Sequence, residues 1–339
     1  MNKQGIYIYG FVPNACVDNI KGLLLKTDIY AIEYKDIAAI VSDTSVVKIE
    51  YLNKEELARL LIDHQQNIEK LMSYGCTQII PMQLGTIVSS GNDVIKILKN
   101  GLQILEKAFK IIDSVEEIDL AAVWSDFSSL ITDISKMQDV MNFKNIIAHK
   151  SVYDEKDTIA IGKMIKDKID QKNNKVYNDV YNSLMPFCVD SRKHETMNDE
   201  MPINSAFLVK KEDRNLFIDM IDQLDIKYAD KLNFKIVGPL PCYSFYTLEC
   251  KVLNKKDIEH AMRIIGIDSI KNDNDLKKAY RTKASLMHPD KNIDNSNIGT
   301  DSFIDINNAY KILLDYSTIL KQAPESTNGE LLYIVKFKD

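Results

Sequence analysis

Along residues 5–88 the spacing of apolar side chains switches between a period of two and a period near 3.6. The switches come in the order strand, helix, strand, strand, helix, strand. "GIYIYGFV" (5–12) is rich in β-branched and aromatic residues and ends at a proline, which predicts a first strand. A short helix is expected at about 16–26. "IYAIEY" (29–34) and "IAAIVSD" (37–43) predict a hairpin with Lys35-Asp36 at its turn. "NKEELARLLIDHQQNIEKLMSYG" (53–75) opens on Asn53 with Glu56 three residues on, the spacing of a capping box. Leu57, Leu60, Leu61, His64, Ile68, Leu71 and Met72 share one stripe of that helix, and Gly75 ends it. "TQIIPMQLGTIV" (77–88) predicts the closing strand, with Pro81 pushing it to an edge or a bulge.

Two helices interleaved with strands in this order cover one face of an antiparallel sheet, so the expectation for 1–112 is a ferredoxin-like α+β domain that includes a further helix at 91–112. "EEIDLAAVWSD" (116–126) predicts a strand carrying Trp124. Two long helices follow at about 127–147 and 155–187, the second with a narrow seam of Ile161, Ile165, Ile169, Val176, Val180 and Leu184. They are expected to form an antiparallel pair projecting from the body. "VDSRKHETMNDEM" (189–201) reads as a polar, unstructured connector. "INSAFLVK" (203–210), a helix near 212–226, "NFKIVG" (233–238) and "CYSFYTLECKVL" (242–253) complete a second α+β unit over 113–253. The fold class is therefore α+β: two ferredoxin-like domains with a long helical pair (about 127–187) between them, plus an all-α hairpin near the C-terminus.

Composition excludes several functions. With 339 residues, two or three domains are expected. A net charge of −6 leaves no global basic field to hold nucleic acid. No stretch approaches the ~18 uninterrupted apolar residues of a membrane span. Five scattered cysteines without a C-x-x-C pair suit reduced thiols, and the N-terminus has no secretory pattern, so a soluble cytoplasmic protein is expected.

The segment 256–316 holds three helical patterns. The first, "KDIEHAMRIIGI", places Ile258, Met262 and Ile265 on one side. The second, "DNDLKKAYRTKASLM" (273–287), buries Leu276, Tyr280, Ala284 and Met287, with Asp273 or Asn274 as its cap. Pro289 forbids its continuation. The third, "TDSFIDINNAYKILLDYSTIL", turns Phe303, Ile306, Ala309, Tyr310 and Leu313 towards the second. His288-Pro289-Asp290 is thereby left at the exposed tip of a helical hairpin. Basic helix, tripeptide tip and Ala-Tyr in the next helix together resemble the J domain, over residues 254–320. The resemblance implies that His288, Pro289 and Asp290 dock on a DnaK-type chaperone, with Lys277, Lys278 and Arg281 steering the encounter with its acidic surface. Lys283 stands where the family has a core leucine, and Leu286 where it has a surface lysine. "PESTNGE" then reads as a linker, and "LLYIVKF" (331–337) as a terminal strand within 321–339 that returns to the second α+β sheet.

Three further stretches, "IYIYGFV", "HQQNIEKLMSYGCTQIIPMQLGTIV" and "NSAFLV...KIVGPLPCYSF", resemble in order and spacing the gas vesicle GvpF/GvpL family over residues 4–252. His64, Glu69, Pro81, Gly85, Thr86, Gly238, Pro239, Pro241, Tyr243, Ser244 and Phe245 fall on that family's pattern. Gln83 replaces a usual arginine, and Cys242 a usual proline. The resemblance implies an accessory or minor structural role in building the gas-filled organelle, with contacts to its small hydrophobic shell protein and to other accessory proteins.

No constellation calls for chemistry. His64 reads as a core histidine bonded to backbone or to Glu69. His149, His194 and His260 lack ligand-spaced companions, so no metal site is expected. Cys242 reads as a buried thiol, and Glu116, Glu117 and Asp119 as solvated strand-end charges. Phosphate-binding glycine loops are missing, and neither a cofactor nor a catalytic residue is expected. A second functional reading is a general J-domain co-chaperone whose front part binds unrelated clients.

Overall fold

The computed structural model describes residues 4–45, 51–149, 155–286, 296–322 and 331–338. The chain divides into two compact units, residues 1–110 with 246–339, and residues 111–245. The first unit begins β1 (Gln4–Pro13), α1 (Asn14–Leu24), β2 (Ile29–Tyr34), β3 (Ile37–Ser45), α2 (Lys54–Ser73), β4 (Ile80–Pro81), β5 (Ile87–Val88) and α3 (Gly91–Ile112). Its antiparallel sheet runs β2-β3-β1-β4, with β5 also on β1. The hairpin turn falls at Lys35, which takes a positive φ of 53°. The strand expected over 77–88 is split: Ile80–Pro81 pair with Gly10 and Phe11, and Ile87–Val88 with Ile6 and Tyr7. Pro81 has no N–H to carry the ladder on, and Gly85 turns the chain with φ 77°. Gly10 permits the approach of β4, because a Cβ there would lie 2.7 Å from the Ile80 carbonyl oxygen.

In α2 the capping box is formed: the Asn53 side chain accepts from the Glu55 and Glu56 amides at 3.0 Å, and Glu56 Oε2 accepts from Asn53 N–H at 2.9 Å. The expected stripe is buried only in its C-terminal half, at His64, Ile68 and Leu71. Leu57 and Leu61 are 37% and 51% exposed. Periodicity identifies the apolar face of a helix but not how far the neighbouring layer extends beneath it.

The second unit contains β6 (Val115–Trp124), α4 (Phe127–Ser135), α5 (Gln138–Ala148), α6 (Glu155–Leu184), β7 (Asp190–Lys193), β8 (Ile203–Lys210), α7 (Arg214–Lys227), β9 (Leu232–Leu240) and the single turn α8 (Tyr243–Tyr246). Its sheet runs β7-β8-β6-β9, so both units arrange their strands in the order second, third, first, fourth. Ile118, Leu120, Val180, Leu184, Phe207 and Phe217 lie in its core. Three expectations change here. The helix at 127–147 is two helices, because Met137 takes extended backbone (φ −61°, ψ 140°). The 189–201 connector contains β7, which pairs with β8 along 190–193. An edge strand is held by backbone pairing on one side, so polar side chains do not exclude it. The strand expected at 242–253 is instead α8 followed by a strand of the first unit.

That strand is β10 (Leu248–Asn254), followed by α9 (Lys255–Ile265), α10 (Asp273–Leu286), α11 (Ser296–Gln322) and β11 (Leu331–Phe337). Gly266, left-handed at φ 82°, caps α9. β10 and β11 pair antiparallel as a separate two-stranded sheet, from Leu248 opposite Phe337 to Asn254 opposite Leu331. The terminal strand thus joins β10 rather than the β6–β9 sheet. With the units meeting at 110/111 and 245/246, β10, the J helices and β11 belong to the unit that holds the first sheet. Composition marks a segment as a strand, but its partner is chosen by non-local packing.

Candidate functional site

The residues singled out from the sequence gather into separate clusters. In the first unit, alternation along β1 aims Tyr7 at α2. The Tyr7 hydroxyl lies 2.8 Å from His64 Nδ1 and accepts the Gly85 N–H at 3.3 Å. Thr86 Oγ1 donates to the Gln83 carbonyl at 2.8 Å, and Gln83 N–H donates to the Leu248 carbonyl at 2.7 Å. Burial pushes the Tyr7 phenol up to about 12 and the His64 imidazole down to about 4. His64 is therefore neutral near pH 7 and joins α2 to β1 and to the loop before β5. Its partner is Tyr7, not Glu69, which is exposed and accepts from Gln65 Nε2 at 3.0 Å. Pro81 is buried in β4. Tyr7 is missing from the sequence reading although alternation in β1 puts it on the inner face; a tyrosine there needs a partner for its hydroxyl.

In the second unit, the "GPLPCYSF" stretch folds over the start of β6. The Gly238-Pro239 peptide is cis, and a Cβ on Gly238 would lie 3.0 Å from the Glu117 carbonyl oxygen. Pro241 and Phe245 are buried, and the Arg192 guanidinium lies 5.6 Å from the Phe245 ring centre. Ser244 donates its N–H to Glu117 Oε2 and its hydroxyl to Glu117 Oε1, both at 2.8 Å. His194 Nε2 lies 3.2 Å from the same hydroxyl oxygen. Glu117 is only 1% exposed, and burial pushes its carboxyl up to about 8 against the lowering effect of the Ser244 hydrogen bonds. Burial also raises neighbouring Asp119, so the pair holds a proton near neutral pH.

Glu116 is likewise buried, at 4%, and is paired with Arg214 through two hydrogen bonds. The reading of Glu116, Glu117 and Asp119 as solvated charges is therefore corrected. Consecutive residues 116 and 117 face opposite sides of the strand, and each meets its own polar partner there. Cys242 is a buried thiol, pushed up to about 12 by burial. Ser244 Oγ carries one proton and faces two acceptor-capable groups, so it serves as a tie between β6 and the segment holding His194.

Further along, α10 presents a charged face. Lys277, Lys278 and Arg281 are exposed, and none forms an ion pair among the described residues. The opposite face buries Leu276, while the Tyr280 hydroxyl donates to Asn307 Oδ1 at 2.7 Å and its ring stacks on Tyr310 at 4.1 Å between centres. Asp273 at the start of α10 accepts from Ser317 Oγ at 2.5 Å and from Lys321 Nζ of α11. Lys283 is half-buried and Leu286 is 63% exposed. Met287, His288, Pro289 and Asp290 lie outside the described residues.

A family model described as gas vesicle synthesis protein GvpL/GvpF matches residues 5–247. The chain belongs to this family. A DnaJ domain model matches residues 262–319. Gas vesicle protein F of Nostoc sp. is 20% identical over 246 residues, spanning 72% of this chain and 98% of the relative. Over the J segment, DnaJ homolog subfamily C member 5 of Mus musculus is 44% identical across 57 residues, which are 17% of this chain and 28% of the relative. The crystal structure of GvpF from an Anabaena species superimposes with a TM-score of 0.55 at 17% identity, covering 71% of this chain and 97% of that one. The chain is thus a GvpF-like gas vesicle protein fused to a DnaJ domain. The Tyr7–His64 and Glu117–Ser244 clusters both lie inside the family segment, one in each unit. Residues 248–261 and 320–339 fall outside both matches.

Proposed function

We propose that this protein is a non-catalytic adaptor of gas vesicle assembly: its GvpL/GvpF segment holds the small hydrophobic shell protein, and its J domain brings a DnaK-type chaperone to that client. The observation that carries the reading is the covalent fusion of the two segments, with a basic face on α10 that is exposed and forms no ion pair among the described residues, followed in sequence by His288-Pro289-Asp290. A shell subunit that polymerises through apolar surfaces is an aggregation hazard before assembly. Fusion would place the chaperone at high effective concentration beside it. Edge strand β9, paired among the described residues with β6 alone and exposing Ile236 and Val237 at 39% and 41%, supports strand addition as the mode of holding.

Neither nucleic acid nor a membrane belongs to the proposed partners. Among the described residues no helix is long and apolar enough to cross a membrane. The proposed site of action is the cytoplasm and the growing vesicle, together with other gas vesicle accessory proteins. The test is a pull-down from cells that compares the unmodified protein with His288→Gln. Loss of the chaperone with retention of the shell subunit is the expected result. Failure of the unmodified protein to retain the shell subunit refutes the adaptor reading, and broad suppression of aggregation of unrelated clients would favour a general co-chaperone instead.

A further inference from the structure

β11 closes a two-stranded sheet, yet its four central residues, Leu332 to Val335, are each no more than 3% exposed. A strand buried on both faces needs a layer on each, and here the two layers come from different parts of the chain. Leu332 and Ile334 join the core of the J helices, with Ile258, Ile265, Ile306 and Leu313. Tyr333 and Val335 point the other way, to α3 of the GvpL/GvpF segment. There Asn100 Nδ2 donates to the Tyr333 carbonyl at 2.6 Å, and the Lys96 ammonium lies 5.8 Å from the Tyr333 ring centre. A Cβ on Gly101 would sit 3.0 Å from Val335 Cγ1. The lack of a side chain at Gly101 thus lets the strand lie against the helix. β10, on one edge of β11, is in turn held by the hydrogen bond from Gln83 N–H to the Leu248 carbonyl. Neither strand belongs to either matched segment, apart from which they form one continuous packing layer.

We propose that β11 is a strap that fixes the J helices in one orientation on the α3 body, so that the basic face of α10 is presented from a set position instead of being swung on a tether. A tether supplies effective concentration alone, whereas a fixed mount also removes the orientational search of the docked partner. The consequence for a chaperone rests on the function proposed above; the strap itself does not.

Pulsed electron-spin distance measurement on the full chain tests it. Spin-labelled unnatural residues replace the exposed Lys107 of α3 and Lys311 of α11, leaving the native cysteines untouched. The expected result is a single narrow distance in the otherwise unmodified protein. Gly101→Phe, which crowds Val335 while leaving Leu332 and Ile334 in the J core, is expected to lose that narrow peak with amide protection of α9 and α11 retained. A broad distribution in the otherwise unmodified chain overturns the strap, as does a peak equally narrow in a folded Gly101→Phe protein. Should that variant fail to fold, Asn100→Ala, which removes the donor to Tyr333, is read in the same way. Chaperone capture is scored separately: a narrow distance with no capture refutes the functional reading and leaves the strap standing. Capture with a broad distance refutes only the strap.

Discussion

Glu117→Gln separates the packing role of this side chain from its proton. A glutamine has the same shape, can accept the Ser244 N–H on its oxygen, and can donate its amide to Ser244 Oγ. It therefore imitates the neutral acid but does not titrate. In the unfolded chain the carboxyl ionises near its ordinary 4.5, whereas burial pushes it to about 8 in the folded protein. Between those values the folded state carries a proton that the unfolded state has released, so stability must fall as pH rises. The slope for one proton is about 1.4 kcal/mol per pH unit, which integrates to roughly 2 kcal/mol between about pH 6 and pH 7.5. Trp124, the only tryptophan of the chain, lies on the same strand and reports the unfolding of this unit. Urea unfolding followed by its fluorescence is expected to show the unmodified protein losing that amount relative to Glu117→Gln as pH rises through this window. Parallel pH profiles for the two proteins would refute the buried-proton argument. A uniform destabilisation by glutamine at both ends of the window would do the same.

Tyr7→Phe leaves the Gly85 N–H and His64 Nδ1 without the hydroxyl that joins them, and a loss of roughly 1–3 kcal/mol is expected in chemical denaturation. His64 adds a pH signature of the opposite sign: its folded value is depressed to about 4, so stability present above about pH 6.5 is lost as pH falls towards 4, and His64→Gln should flatten that acid limb. Arg214→Ala strands the buried Glu116 carboxylate, but Arg214 itself is 43% exposed and water can reach the gap it leaves, so a loss of about 1–3 kcal/mol is expected at neutral pH, with recovery in Arg214→Ala/Glu116→Gln measured by the same titration. Charge reversal at Lys277, Lys278 and Arg281 should slow association with a DnaK-type chaperone at low salt and matter less at high salt, as read by stopped-flow association rates.

Local pattern carried the sequence reading far. The Asn53–Glu56 spacing produces the capping box, the Lys35-Asp36 dipeptide falls at the β2–β3 turn, and the strand and helix order from β1 to the end of α2 is the observed one. These features depend on backbone propensity and on neighbours a few residues away, both visible in one dimension. The two resemblances were equally legible, because they rest on the order of residues alone. At the candidate sites the sequence marked His64 and Ser244, but it pointed His64 to backbone or Glu69 instead of Tyr7 and gave Ser244 no partner. Tyr7 lies 57 positions from His64, and Glu117 lies 127 positions from Ser244. An acid such as Glu117 carries no mark of burial in its sequence, since a polar residue on a strand is normally solvated.

What the chain determined by itself is its vocabulary: α+β elements, a GvpL/GvpF segment, and a J segment with His288-Pro289-Asp290 after its basic stretch. Outside the β2–β3 hairpin, only the tertiary structure decided which strand pairs with which. "LLYIVKF" was recognisable as a strand, but its placement on β10, between α3 and the J helices, follows from covering two apolar faces with two layers that lie far apart in sequence. Burial of that kind is a property of the assembled layers, and so is the proton held at Glu117, whose raised affinity comes from water being excluded by segments that meet only in the folded protein.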